Sequence, residues 1–262
     1  MNKTKVIFLS LFLVNSLFAE YINDNENDTL GNIAISIGIL KTTTSGSIRN
    51  EKSNGNTNYA NDLGHKDEKN INTFAFDLKN DVSWLPNINI NYFKLNNSAT
   101  NTLVGTRSIN NIEDISGSVS STYKYSQINL LAYGYLYQGP FEFNFGLNFK
   151  KINFTQVISE NKTHGRVINI EGPTSLIVLP YGAIKINLDF IDTVLMASTS
   201  MLSFGDNEAK DYDYSINYRV MRNVYLSYGY KFNSFKTTNT NNNKEIYDVK
   251  IKGNYISCKI LF

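Results

Sequence analysis

Phe141-Glu142-Phe143-Asn144-Phe145-Gly146-Leu147-Asn148-Phe149 decides the fold. Its odd positions are aromatic or aliphatic, and its even positions are polar or glycine. Successive side chains of a β-strand point to opposite faces, so the stretch reads as a strand with one greasy face and one wet face. The alternation recurs in both directions along the chain. Upstream it appears at Ile33, Ile35, Ile37 and Ile39, at Phe74, Phe76 and Leu78, and at Ile88, Ile90 and Tyr92. Downstream it appears at Tyr212, Tyr214, Ile216, Tyr218 and Val220, then at Val224, Leu226, Tyr228, Tyr230 and Phe232. Three segments, at about 113–136, 174–188 and 193–205, are apolar on both faces in places and leave their orientation open. A last segment from about 245 to 262 brings the number to ten.

The connections alternate in length. Short links fall near residues 83–86, 137–140, 189–192 and 221–223, and longer polar ones near 44–69, 97–112, 159–173, 206–210 and 236–244. Short turns at one end and long loops at the other are how transmembrane β-barrels are built. The expected fold is therefore all-β: a ten-stranded antiparallel transmembrane β-barrel with short periplasmic turns and longer extracellular loops. Two parity conflicts predict bulges. Phe149 and Phe154 disagree in parity, which places one near Lys150-Lys151. Val249 and Ile251 disagree with Ile256, Cys258, Ile260 and Phe262, which places another near Gly253.

Composition supports an ordered β chain. The 262 residues include 17 Tyr, 16 Phe, 1 Trp and 38 Asn against 4 Pro. That aromatic content excludes a disordered chain, and only Val6–Phe18 is a long, mostly apolar run, which excludes a helical membrane protein. Lys3 and Lys5, the apolar run, and Leu17-Phe18-Ala19 before Glu20 form a secretory signal peptide pattern. The expected organisation is a cleaved leader at 1–19, a short periplasmic segment at 20–29 and the barrel at 30–262. Removing the two leader lysines leaves 23 basic against 23 acidic residues, so nucleic acid is not an expected partner. Cys258 is the only cysteine and cannot form an internal disulfide. With no cysteine at the cleavage site, a lipid-anchored lipoprotein is disfavoured as well.

The rival fold is a secreted β-sandwich. Aromatics near strand ends favour the barrel, because interfacial girdles are expected there. Trp84, Tyr133, Tyr135, Tyr137 and Phe141 are the predicted girdle. On the opposite strand faces Asp77, Lys79, Glu142, Lys185, Arg219 and Lys231 are the predicted lumen charges, of mixed sign and able to neutralise one another. A barrel of about eight strands is filled by its own side chains, whereas porins of sixteen or more leave a channel. Ten strands lie near the filled end. At the terminus, Ile256, Ile260 and Phe262 form an amphipathic last strand ending in Phe. It resembles the assembly signal of bacterial outer-membrane proteins, which implies contact with the barrel-assembly machinery, with outer-membrane lipid as the other expected partner.

Several stretches resemble a family of small proteobacterial outer-membrane β-barrel proteins of unassigned function. They are Trp84-Leu85-Pro86-Asn87-Ile88-Asn89-Ile90, Tyr133-Gly-Tyr-Leu-Tyr137 with Phe145-Gly-Leu-Asn148, Tyr228-Gly229-Tyr230, and Asp248-Val-Lys-Ile-Lys-Gly253 with the terminal Phe. The resemblance covers most of the mature chain, and its motifs are structural. The chain departs from it by its richness in Asn and by Asn254 where Pro is expected. The resemblance implies integral outer-membrane localisation and carries over no catalytic residues.

No GxSxG, HExxH, phosphate-binding loop or CxxC pair is present. A rim-exposed hydrolase of the omptin kind needs acidic residues beside a histidine. His65 near Asp62 and Asp67, or His164 near Glu160, would have to supply them, and both histidines read as solvated loop residues. Ser159 beside His164 is too generic a pair to indicate a lipid hydrolase. Asp206, Glu208, Asp211 and Asp213 resemble an oxygen-rich cation cluster but read as a solvated loop. No metal or cofactor is expected, and the protein is not expected to be an enzyme. The leading expectation is a structural or surface-interaction role with a largely side-chain-filled lumen and an unknown extracellular partner. The alternative is a narrow channel for small polar solutes, and the third reading is an outer-membrane hydrolase with a rim-exposed active site.

Overall fold

The structure is a computed structural model that describes residues 33–50, 56–80, 85–109, 112–137, 140–171, 175–188, 191, 193–204, 207–239 and 245–262. The leader at 1–19, the segment at 20–29 and Trp84 lie outside the described residues. Twelve strands follow one another: β1 (Ile33–Asn50), β2 (Asn56–Asn58), β3 (Lys69–Leu78), β4 (Asn87–Ile109), β5 (Ile112–Tyr137), β6 (Phe141–Glu160), β7 (Val167–Glu171), β8 (Ser175–Leu188), β9 (Thr193–Phe204), β10 (Asn207–Met221), β11 (Val224–Asn239) and β12 (Glu245–Leu261).

Ten of these strands form a closed antiparallel ring, in which each pairs with the next and β12 pairs back onto β1. β2 and β7 are short additions to the outer ends of β1 and β6. In the lipid-facing half closure leaves no unpaired strand edge, which is the condition for a sheet to sit in hydrocarbon, whereas beyond Phe93 the outer part of β4 has no β3 partner. Phe262 N–H donates to Ile33 O at 2.8 Å, so both ends of the ring meet at the short-turn side.

The apolar track of each strand faces outward in the inner, short-turn half. Phe141, Phe145 and Leu147 are 52%, 51% and 46% exposed, and Ile39, Ile90, Ile216 and Tyr228 lie on the same outer belt. A band of large exposed apolar side chains around a closed barrel is a lipid-facing surface. The three undecided segments resolve the same way. Ile128 and Leu130 of β5, Val178 and Ile184 of β8 and Met201 of β9 face outward, while Asn129, Leu179 and Ser200 face inward.

Neither predicted bulge is present. β5 and β6 pair without interruption from Val119↔Glu160 to Tyr135↔Asn144, and β1 and β12 pair without interruption along their whole length. The polarity of the two faces inverts instead. On β6 the outward track passes from Phe149 to Lys151, Asn153 and Thr155, while the inward track passes from Asn148 and Lys150 to Ile152 and Phe154. On β12, Ile256 is exposed and Val249 and Ile251 are 1% exposed on the other face. β4 inverts at Tyr92 and Phe93. Below the inversion the barrel is greasy outside and polar inside, and above it the order is reversed, as water outside demands. Gly253 has another reason to be glycine: a Cβ there would overlap the carbonyl oxygen of Lys41 across the strand pair.

The polar run at 97–112, expected as a loop, instead extends β4 and β5 into a long ribbon. Hydroxyl pairs Ser98–Thr122 at 2.9 Å and Thr100–Ser120 at 3.2 Å lie on its solvated face. A spanning strand needs only about 9–11 residues, so most of the 26-residue β5 stands beyond the membrane.

Candidate functional site

The inner half of the lumen holds a cavity of about 360 Å³. Asp77, Lys79, Glu142, Lys185 and Lys231 line it. Arg219 is exposed at the inner end of β10 and is not part of that lining. The charges are arranged as pairs, two between neighbouring strands (β6–β8 and β10–β11) and two reaching past intervening strands (β12 to β3 and β6 to β10). Lys185 Nζ lies 2.6 Å from Glu142, Lys231 Nζ 3.2 Å from Asp213, Lys259 Nζ 3.0 Å from Asp77, and Lys150 Nζ 2.6 Å from Asp211. The last pair is the most enclosed, with the Lys150 side chain 0% exposed.

Lys150, Lys259, Asp211 and Asp213 were not among the expected lumen charges. Asp211 and Asp213 read as part of an acidic loop, whereas β10 carries them on its inward track. Glu208 lies on the outward track of the same strand, paired with Lys210. Asp206 lies outside the described residues. Among those residues no group of three or more His, Cys, Asp or Glu side chains is arranged to hold a metal ion.

Tyr133 and Tyr135 do not join an interfacial girdle. They share the inward parity of Asn129 and Leu131, and Tyr133 is 7% exposed on the cavity wall. Its ring centroid lies 6.0 Å from that of Tyr181 and 6.2 Å from that of Tyr135, and Lys185 Nζ sits 5.9 Å from it. The lumen needs hydroxyl-bearing rings to fill its width, so an aromatic near a strand end does not by itself mark the lipid interface. Phe141 is on the outer face; the side chain of Tyr137 lies outside what is described.

The asparagines of the lumen form a relay. Tyr125 Oη donates to Gln127 Oε1 at 2.6 Å, Gln127 Nε2 to Asn129 Oδ1 at 3.0 Å, and Asn129 Nδ2 to Asn91 Oδ1 at 2.9 Å. Asn91 Nδ2 then donates to Asn89 Oδ1 at 2.8 Å and Asn89 Nδ2 to Asp77 Oδ1 at 2.6 Å. A carboxamide both donates and accepts, so it extends such a chain where a carboxylate ends it.

The outer half is closed by an apolar core that the sequence reading missed. Leu40, Phe93, Leu95, Phe154, Phe235, Tyr247 and Val249 project into it from the wall. The segment after β2 folds over them: Tyr59 and Leu63 are fully buried, with the Tyr59 ring 6.0 Å from Tyr123 and 6.4 Å from Phe154. Tyr247 and Phe235 lie 6.1 and 6.4 Å from Phe154 on its other sides.

His65 belongs to this core and is not solvated. It is 1% exposed, with Nε2 3.0 Å from Ser121 Oγ and its ring edge-on to Tyr123 at 5.0 Å. Burial lowers its pKa from 6.5 to about 4. Ser121 is itself buried and accepts from Gln156 Nε2 at 3.1 Å, so the pair presents no nucleophile at a surface. His164 stands in the 161–166 loop with a positive φ of 57°. Its neighbour Glu160 is clamped by Arg166 Nε at 3.0 Å, Arg166 N at 3.1 Å and Lys162 Nζ at 3.0 Å, with Arg166 holding the carboxyl well below the usual carboxylate range.

No protein-family profile matches the chain, and no curated protein matches it in sequence. Among solved structures, the outer membrane protease OmpT from Escherichia coli is similar at a TM-score of 0.50 and 10% identity, over 92% of this chain and 99% of that one. The transport unit of the Escherichia coli autotransporter AIDA-I matches at a TM-score of 0.45 and 9% identity, over 92% and 94%. Neisserial surface protein A matches at 0.36 and 10%, over 90% and 100%. Identities this low speak of fold alone. The closed ten-strand ring, its lipid-facing belt and the likeness to the OmpT barrel make this chain an integral outer-membrane β-barrel.

Proposed function

We propose that the protein is a non-conducting, non-enzymatic outer-membrane barrel that presents its extended outer end as a structural or interaction surface. The observation that carries this reading is the aromatic core across the outer half, from Tyr59 through Phe154 to Tyr247. A solute entering the polar cavity from the periplasmic side meets packed rings and not a continuous wet path. The same proposal takes Ile256, Ile260 and Phe262 as the strand read by the assembly machinery, and kinship with the small proteobacterial barrels of unassigned function. Planar-bilayer recording on the refolded protein tests it: the expected result is no steady conductance. A stable open current would replace this reading with a narrow channel for small polar solutes. Cleavage of outer-membrane lipids or peptides by the pure protein would replace it with a hydrolase.

A further inference from the structure

We propose that the outward faces of β4, β5 and β6, just above the lipid-facing belt, form a docking site for a net-anionic phosphomonoester headgroup of an outer-leaflet lipid. Lys94, Lys124 and Lys151 carry the charge, with Ser126 and Asn153 between them. All three lysines are exposed on the outward track. Lys94 follows Tyr92 and Lys151 follows Phe149, so two of them stand at the first outward position beyond the apolar band. Lys124 is the second such position beyond Ile128.

The register brings them together. Lys94 opposes Ser126, Ser126 opposes Asn153, Lys124 is two residues from Ser126, and Lys151 is two residues from Asn153. Asn153 Nδ2 donates to Ser126 Oγ at 3.4 Å, which fixes a polar floor between the three stems. Lys94 and Lys124 are diagonal same-face neighbours, about 7–8 Å apart, while Lys124 faces Thr155, four residues from Lys151, so Lys151 closes the far side of the patch and reaches it through its flexible stem.

The grouping of three lysines unpaired among the described residues distinguishes this sector from the rest of the rim. The outward tracks here read Lys94, Asn96, Ser98, Thr100 on β4, Ser120, Thr122, Lys124, Ser126 on β5, and Lys151, Asn153, Thr155, Val157 on β6, with no carboxylate. Glu171 of β7 opposes Thr155 at the edge of the patch. Among the described residues none of the three lysines is in an ion pair. Elsewhere on the rim the protein supplies counter-charge to Lys41 with Glu68 at 2.5 Å, to Lys250 with Asp248 at 3.1 Å and to Lys210 with Glu208, and the exposed Lys252 of β12, which has no ion pair among the described residues, stands apart from the three. Uncompensated positive charge at the height of the headgroups is complementary to an anion held in the membrane plane.

The test uses the full chain refolded in phosphatidylcholine nanodiscs doped with a phosphorylated glycolipid, with its dephosphorylated counterpart, or with added inorganic phosphate. Binding is read as the rise in the temperature at which the folded gel mobility is lost. Only the phosphorylated lipid is expected to raise it. Lys94→Gln/Lys124→Gln/Lys151→Gln is expected to weaken the effect ~100-fold in lipid concentration, at roughly fivefold per lysine, while Lys210→Gln/Lys250→Gln retains it. If the triple variant fails to fold, Lys124→Gln alone carries the test with its fivefold shift. An unchanged response in the lysine variant, an equal loss in the control, or an equal response to inorganic phosphate overturns the proposal.

Discussion

Phe149 and Phe154 sit five residues apart on one uninterrupted strand and occupy opposite environments, the first toward lipid and the second in the outer core. Truncation separates the two. Fluid acyl chains fill the space left by Phe149→Ala, so only the transfer contribution is lost, about 1.5–3 kcal/mol. Phe154→Ala leaves a void among Tyr59, Phe235 and Tyr247 that those rings cannot close, and is expected to cost about 3–5 kcal/mol. Urea titration of the refolded variants in lipid, followed by gel mobility, measures both. Equal losses would mean that the outer core is loosely packed.

His65 predicts a pH response of the segment that covers the core. Its neutral form persists in the folded state down to about pH 4, whereas an opened segment takes up a proton near 6.5. Opening therefore gains a proton between those values. The segment is held most firmly above pH 6.5, weakens as pH falls toward 4, and loses nothing more below that. The whole change is at most ~3 kcal/mol. Amide exchange at Leu63 and His65 over pH 4–7.5 follows it, after correction for the intrinsic rate. The His65→Phe variant is expected to flatten the profile.

The Lys150–Asp211 pair predicts an asymmetry between single and double substitution. Lys150→Met strands the Asp211 carboxylate in the lumen without its cation, leaving the Asn148 Nδ2 donor at 3.5 Å, and is expected to cost about 3–5 kcal/mol. Lys150→Met with Asp211→Leu removes both charges and recovers most of that loss. Urea midpoints of the two variants decide it.

Gly229 predicts a steric effect that runs through a neighbour. A Cβ at this position would come within 2.5 Å of the Tyr214 carbonyl oxygen and would also overlap the Tyr255 ring, whose Oη donates to Asp213 at 2.8 Å. Gly229→Val is expected to displace that ring, break the bond to Asp213 and lower the unfolding midpoint. Pairing it with Tyr255→Ala removes the ring overlap and leaves the contact with the Tyr214 carbonyl, so the double variant is expected to cost less than the sum of the two single changes but not to recover fully.

The period-two tracks made the inner half of the barrel legible, because lipid on one side and water on the other leave a clean alternation on β6, β10 and β11. The outer half was not legible from a single strand. A parity switch between Phe149 and Phe154 is equally the mark of a bulge and of an inversion. The distinguishing signal is collective: Tyr92 to Phe93, Ile128 to Tyr125 and Phe149 to Phe154 switch at adjoining register positions, and β12 makes the same switch between Ile256 and Ile251. Tyr133 and Tyr135 were misread because aromatic type was weighed above parity. His65 was misread because a polar, glycine-containing neighbourhood is compatible with a segment folded inward as well as with a solvated loop.

The inversion also governs how faithfully the strands find their partners. In an ordinary barrel a one-residue slip exchanges lipid and lumen faces once. Here the same slip would set Phe154 in water and Phe149 in the lumen at the same time, so the error is penalised in two solvents that cannot both be satisfied. Misaligned intermediates are left without a compromise arrangement, and correct alignment becomes a condition that each strand checks against itself.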